Sequence, residues 1–235
     1  MSDPNDPRKH PMNEAPVHPV PPVVVAMFLV LLGIEAVFTL GEMGMVGGPE
    51  GIGLRATYIE RFGFSGQVFD WMMATGTWPL HHLLRVFSYS FLHGSFYQAI
   101  FGMVFILAMG KAVVEAMGAL PFVAIYFASA AVGAVAFGVL SDGPWLIGAY
   151  PAAYGLIGGF SYLLWLQLGA VGAPQMRAFS LIGVLLAIQL LFGLMFGSDD
   201  SWIAELAGFV TGFLLSVVLI PGGWARLLAR LRGAR

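Results

Sequence analysis

Residues 202–215 read WIAELAGFVTGFLL and begin an apolar run that extends to Ile220. One carboxylate, Glu205, lies inside this run. An ionisable side chain near the centre of a membrane helix costs about 2.5–3.5 kcal/mol on insertion scales, so it usually faces a bundle interior or a watery cavity. Gly208 and Gly212 share the helical face of Glu205 and form a small-xxx-small stripe for close helix contact. The stretch therefore predicts a membrane helix whose carboxylate points toward a neighbouring helix.

The composition predicts a polytopic membrane protein. Hydrophobic residues make up 58% of the 235 residues, charged residues make up 10%, and the mean hydropathy is +0.83. Soluble domains average about 45–50% apolar and about 25% charged residues. The net charge of −2 gives no reason to expect a nucleic-acid partner, and the absence of cysteine excludes disulfides, thiol nucleophiles and thiolate metal sites.

Six segments are long and apolar enough to cross a hydrocarbon core of about 30 Å. They are Val23–Leu40, Ser95–Gly110, Leu120–Leu140, Tyr150–Leu168, Phe179–Phe196 and Trp202–Ile220. In the long loop that follows the first segment, Val68–Met73 and Leu80–Leu92 predict short helices that dip into the membrane interface. The expected fold class is an all-α membrane protein, a bundle of six transmembrane helices with a long membrane-dipping first loop.

The regions outside the spans set the expected domain boundaries. Residues 1–22 are rich in proline and mixed charge and predict a disordered cytoplasmic tail that is not a cleaved signal peptide. Residues 23–220 are the expected membrane domain. Residues 221–235 predict a basic amphipathic cytoplasmic tail that rests on anionic lipid or simply anchors the last span.

The distribution of Lys and Arg predicts the orientation. These residues concentrate in both tails and in the loops on the same side of the bundle, so the positive-inside rule places both termini in the cytoplasm. We expect a multi-pass protein of a bacterial inner membrane.

Four local patterns occur in order along the chain. They are RVFSYSFLHGS at 85–95, GKAVVEAMG at 110–118, GPWLIGAYPAAYG at 143–155 and AELAGFVTG at 204–212. Together they resemble the rhomboid family of intramembrane serine proteases, and the resemblance extends from about Leu80 to Ile220. It implies a rhomboid-like bundle with the long first loop and cytoplasmic termini predicted above.

At the fourth span the rhomboid pattern is Gly-x-Ser-Gly, with the serine as nucleophile and an aromatic residue four positions later. Here Gly148 and Tyr154 match this pattern. Tyr150 occupies the serine position, and Pro151 occupies the position of the following glycine.

At the sixth span the family pattern is Ala-His-x-x-Gly-x-x-x-Gly, with the histidine as general base. Ala204, Gly208 and Gly212 match, whereas Glu205 occupies the histidine position. The resemblance therefore keeps the scaffold positions and replaces both members of the catalytic dyad.

In the second span the family has a histidine, a second histidine five residues later and an asparagine four residues beyond. The last two contribute to the oxyanion hole. His93 matches the first, while Gln98 and Gly102 occupy the oxyanion positions.

The implied role of His93 is a hydrogen bond to the first loop. Arg85 resembles the arginine that braces that loop, and Glu115 resembles the acidic residue that closes the span. A metal site at His93 is not expected, because the core offers no cysteine and no second histidine.

The chemistry of the residues also argues against a serine protease. A nucleophilic serine needs a neighbouring base and donors aimed at the developing oxyanion. No histidine follows His93 in the sequence, and the phenol of Tyr150 is too bulky for a serine-sized slot. Ser161 lies deeper in the fourth span, where a serine is more often bonded to its own backbone.

Two carboxylates leave alternatives open. If the rhomboid geometry holds, Tyr150 faces Glu205 and donates a hydrogen bond to it. Alternatively, Glu205 lies near a water-filled mouth and is hydrated. Glu35, in the first span, either points inward or lies near the far interface.

The favoured function is a rhomboid-like pseudoprotease. It binds transmembrane segments of client proteins within the lipid bilayer, does not cleave them and needs no cofactor. The alternative from another class is an active intramembrane serine endopeptidase, which the fold alone would suggest. A second alternative is a small transporter, favoured by Glu35 and Glu205 but weakened because no inverted repeat is detected.

Overall fold

The computed structural model describes residues 19–141, 143–196 and 200–225. These residues form ten α-helices, three 3-10 helices and one short strand pair. In chain order the elements are α1 (Pro22–Glu42), α2 (Leu54–Phe62), β1 (Phe64–Ser65), α3 (Gly66–Thr75), α4 (Leu80–Leu83), α5 (Arg85–Ser88), α6 (Phe96–Met117), α7 (Ala119–Leu140), β2 (Trp145–Leu146), α8 (Tyr150–Ala170), α9 (Ser180–Phe196) and α10 (Ser201–Leu219). Each of the six predicted apolar segments is a long helix, namely α1 and α6 to α10.

Four of the long helices in the described part of the chain meet the length and hydropathy of a membrane span, namely α1, α6, α7 and α10. The helix α9 is shorter, with 17 residues. The helix α8 has 21 residues but carries glycines, tyrosines and a glutamine. It packs against α6, α7 and α10, so much of its surface faces protein. The predicted fold class, an all-α membrane bundle, is confirmed.

The glycine stripe of α10 packs directly on α8, which confirms the predicted contact between the fourth and sixth spans. A Cβ atom added at Gly208 would overlap the carbonyl oxygen of Pro151, and one added at Gly212 would overlap that of Gly155. The helix α7 is close to both, because a Cβ at Gly133 would lie 2.9 Å from the carbonyl oxygen of Ala204. Small residues thus bring the backbones of α7, α8 and α10 close together.

The first loop folds into short helices, as its apolar segments predict. The helices α3, α4 and α5 fall within or beside Val68–Met73 and Leu80–Leu92, and 3-10 turns form at Gly48–Gly51 and Tyr89–Phe91. The strand pair was not predicted. It is antiparallel, with Phe64 opposite Leu146 and Ser65 opposite Trp145, and it ties the loop to the residues that precede α8.

A buried ion-pair network holds the first loop against α1. Arg55, at the start of α2, donates from Nη2 to Glu35 Oε1 at 2.8 Å and from Nη1 to Glu35 Oε2 at 3.0 Å. Its Nε donates to Glu42 at 2.6 Å, and Thr39 also donates to Glu35. Of the two alternatives for Glu35, the structure therefore selects the inward one, with a side chain that is 1% exposed.

The predicted tails lie largely outside the described residues, which omit 1–18 and 226–235. The helix α1 begins at Pro22 and α10 ends at Leu219, next to the predicted limits of the membrane domain. The orientation of the termini stays a prediction.

Candidate functional site

The N-terminal end of α8 is held by backbone contacts from the segment before α6. Gly148 adopts a positive φ of 104°, and its N–H donates to the carbonyl oxygen of Tyr89 at 3.1 Å. The N–H of Ala149 donates to Nε2 of His93 at 3.3 Å. The carbonyl oxygen of His93 in turn accepts from Nη1 of Arg55 at 2.7 Å. The first loop therefore fixes His93, and His93 fixes the turn that begins α8.

His93 is neutral in this setting. Burial lowers the pKa of His93 to about 4. Because Nε2 accepts a hydrogen bond, the proton of the neutral ring lies on Nδ1, which has no hydrogen-bond partner among the described residues. The ring of His93 accepts from the residue before α8, and it is the backbone carbonyl group of His93 that bonds to Arg55 in the first loop.

The two positions expected to contribute to an oxyanion hole lie beside this turn. Oε1 of Gln98 accepts from the N–H of Gly94 at 2.7 Å, and its carbonyl oxygen accepts from the hydroxyl of Tyr150 at 3.3 Å. Gly102 faces the same turn, since a Cβ there would lie 3.5 Å from Nε2 of His93. The structure therefore brings His93, Gln98, Gly102 and Tyr150 together, as the resemblance predicted.

Glu205 lies in the first turns of α10. Its side chain is 4% exposed. Nε2 of Gln189, on α9, donates to Oε2, and Oγ of Ser201 lies 3.5 Å from Oε1. The hydroxyl of Tyr154 also hydrogen-bonds to this carboxylate. A polar cluster thus joins α8, α9 and α10 at a point that is enclosed by protein.

The predicted hydrogen bond between Tyr150 and Glu205 is wrong. The Tyr150 hydroxyl donates to the Gln98 carbonyl group, and Tyr154, one helical turn later, bonds to the carboxylate instead. Residues four apart share a helical face, so both tyrosines point into the same space, and the deeper one reaches Glu205.

This arrangement predicts unequal effects for two matched substitutions. Tyr154→Phe should lower the free energy of unfolding by about 1.5–3 kcal/mol, because it removes a hydrogen bond to a buried carboxylate. Tyr150→Phe removes a bond between neutral groups and should cost about 0.5–1.5 kcal/mol. Unfolding by SDS titration in one detergent measures both. The Tyr154→Phe effect should shrink in a Glu205→Gln background, and an equal effect in both backgrounds would contradict the contact.

Three further expectations concern residues near the site. The buried Nε of Arg85 has no hydrogen-bond partner within the described chain, and its expected role in bracing the first loop stays a prediction; Arg55 bonds to that loop at the His93 carbonyl group. The hydroxyl of Ser161 is buried and does not bond to its own backbone, since it too has no partner there. Glu115 lies at the far end of α6, where it is 3.8 Å from Lys111.

Two important residues were not singled out from the sequence. Gln189 is a polar side chain within the apolar run of α9, and Arg55 is a loop cation in a chain with an intramembrane carboxylate. Polar groups in membrane spans usually pair with other polar groups, and this rule could have identified both residues. No three metal-ligating side chains come together within residues 19–141, 143–196 and 200–225.

The fold and this site define an integral membrane protein in which three helices meet at a polar cluster that is enclosed by protein. Residues 80–222 match the sequence model of the Rhomboid domain, which covers more than half of the chain. The chain belongs to the rhomboid family. The match coincides with the extent of the resemblance noted from the four motifs.

A curated relative is Rhomboid-like protease 3 of Toxoplasma gondii. It is 30% identical to this chain over 136 residues, which cover 57% of this chain and 50% of the relative. The chain thus spans about half the length of the curated relative that it matches.

Proposed function

We propose that this rhomboid-family protein is a pseudoprotease that binds transmembrane segments of client membrane proteins without cleaving them. The observation that carries the proposal is the state of the two dyad positions. The Tyr150 hydroxyl donates a hydrogen bond to the Gln98 carbonyl group. Glu205 is hydrogen-bonded to Gln189 and Tyr154. Neither position offers a serine or an imidazole.

Among the described residues, the imidazole that lies beside the turn that begins α8 is that of His93. Peptide hydrolysis by a serine enzyme needs a nucleophile, a base that takes its proton and donors for the oxyanion. The Nε2 lone pair of His93 accepts the Ala149 N–H, so it is occupied. Gly102 has no side chain to donate. Removing members of a catalytic triad leaves only a small residual rate.

The alternative function is an intramembrane serine endopeptidase. The name of the Toxoplasma gondii relative favours it, and the bundle holds two serines, Ser129 and Ser161, whose hydroxyls have no hydrogen-bond partner among the described residues. Both serines are fully buried, so a peptide bond would reach them only if the helices separated. The transporter alternative rested on Glu35 and Glu205 as intramembrane carboxylates. It is weakened because Glu35 forms a salt bridge with Arg55.

We expect the purified full chain to leave rhomboid substrates intact in detergent and in liposomes, and to take no label from a fluorophosphonate probe. An active rhomboid protease treated in parallel is the positive control. Tyr150→Ser alone should not restore cleavage, because a carboxylate is a much weaker base than imidazole near neutral pH. Cleavage that disappears in the Ser161→Ala or Ser129→Ala variant would establish the endopeptidase instead.

Client binding needs a separate measurement. The full chain, reconstituted in liposomes with a labelled synthetic transmembrane peptide, should give saturable energy transfer that unlabelled peptide reduces. An unrelated membrane protein of similar helix number, at the same lipid-to-protein ratio, controls for crowding. Energy transfer that does not saturate, or that equals the control, would overturn the binding half of the proposal.

A further inference from the structure

An apolar groove lies outside the site, between α1 and the first loop. Its volume is about 420 Å³, and its walls include Gly33 and Phe38 of α1, Tyr58 and Phe62 of α2, and Phe91. The rings of Phe38, Tyr58 and Phe62 form a row, with successive centroids 5.8 Å and 5.6 Å apart. The groove is therefore open on one side and has a row of aromatic rings along a membrane helix.

The chemistry of the groove excludes water as its occupant. Its lining is almost entirely carbon. Ser88 also lines it, but its hydroxyl already donates to the carbonyl oxygen of Phe62 at 2.6 Å. A buried water needs two to four polar partners, and an empty groove would forfeit dispersion contacts along its walls. Because α1 is long and apolar enough to cross a membrane, hydrocarbon is the material that meets the groove.

A cation lies against the ring of one residue that lines the groove. The guanidinium carbon of Arg61 is 5.4 Å from the centroid of the Phe62 ring. Within the described residues, no carboxylate forms a salt bridge with Arg61, whereas Arg55 is neutralised by two glutamates. Glu60 lies on the opposite face of α2 from Tyr58 and Phe62, since successive helical residues turn by about 100°. The charge at the groove is therefore positive.

We propose that the groove binds one acyl chain of an anionic phospholipid and that Arg61 holds the phosphate of its headgroup. The aromatic row supplies the apolar contact, and the guanidinium supplies a fork of donors that suits phosphate oxygens. The proposal does not depend on whether the chain cleaves peptides.

Gly33 offers a way to fill the groove. It lines the groove, and a Cβ added there meets no described atom within 4 Å, so a larger side chain enters open space. Gly183 on α9 has the same open surroundings but lies away from the groove. The pair Gly33→Leu and Gly183→Leu is thus matched in residue type and in strain.

Native mass spectrometry of the full chain, released from nanodiscs of equal phosphatidylglycerol and phosphatidylcholine, tests the proposal. The unmodified chain and Gly183→Leu should retain one phospholipid, predominantly phosphatidylglycerol, and Gly33→Leu should lose it. Arg61→Gln should reduce the preference for phosphatidylglycerol about fivefold, since one cation near a membrane surface is worth about 1 kcal/mol. Glu60→Gln, with an unchanged preference, is its control.

Three results would overturn the proposal. One is equal phospholipid retention by the Gly33→Leu and Gly183→Leu variants. Another is an unchanged lipid preference in Arg61→Gln, a surface variant that should fold normally. The third is a Gly33→Leu protein that keeps its phospholipid but binds a synthetic transmembrane peptide less tightly, because the groove would then take a peptide segment.

Discussion

Replacing Arg55 by methionine should lower the free energy of unfolding by about 3–5 kcal/mol, the range observed when one partner of a buried ion pair is removed. Glu35 would then remain 1% exposed without its cation. The substitution also removes the hydrogen bond to the His93 carbonyl group, and through His93 it loosens the start of α8. SDS titration of the purified chain in one detergent measures the change.

A substitution of another exposed arginine is the control. Arg177 is exposed and forms no salt bridge with the described residues, so Arg177→Met should change the free energy of unfolding by less than about 0.5 kcal/mol. Adding Glu35→Leu to Arg55→Met should recover much of the loss, because apolar replacement of a buried ion pair is often neutral. A double variant as unstable as Arg55→Met would show that the loss does not come from the stranded carboxylate.

The parts of the fold that follow from local pattern could be predicted from the sequence. Gly208 and Gly212 share one face of a helix, and that spacing alone predicts a close contact with a second helix. The contact with α8 follows once the rhomboid resemblance orders the spans. The first-loop helices follow in the same way from apolar segments within a polar loop.

The parts that depend on side-chain rotamers or distant pairing could not be predicted. The resemblance gives the positions of Tyr150 and Glu205 but not the direction in which the Tyr150 hydroxyl donates. The carbonyl oxygen of Gln98 lies close enough to accept a hydrogen bond from the Tyr150 hydroxyl, and Tyr154 bonds to the carboxylate instead. The ion pair of Arg55 and Glu35 joins residues 20 positions apart in sequence, across a turn whose path no periodicity fixes.

Gly212→Val should be the most damaging single substitution in the helix bundle. A Cβ at Gly212 overlaps the carbonyl oxygen, carbonyl carbon and Cα of Gly155, which are backbone atoms of α8 and cannot rotate aside. Overpacking of a core costs about 1–3 kcal/mol when side chains can adjust. Here two helices must separate, so we expect a loss of at least about 3 kcal/mol, or no folded protein.

The separation should also reach the polar cluster, because Glu205 and Tyr154 lie on the same two helices as Gly212 and Gly155. The Gly212→Val variant should therefore become insensitive to Tyr154→Phe, which costs about 1.5–3 kcal/mol in the unmodified chain. Gly183→Val, whose Cβ meets open space on α9, controls for the lost glycine and should unfold like the unmodified protein in the same SDS titration. If Gly212→Val were as stable as Gly183→Val, the contact between α8 and α10 would be looser than the glycine stripe requires. The two helices would then lack the fixed spacing that lets Tyr154 reach Glu205.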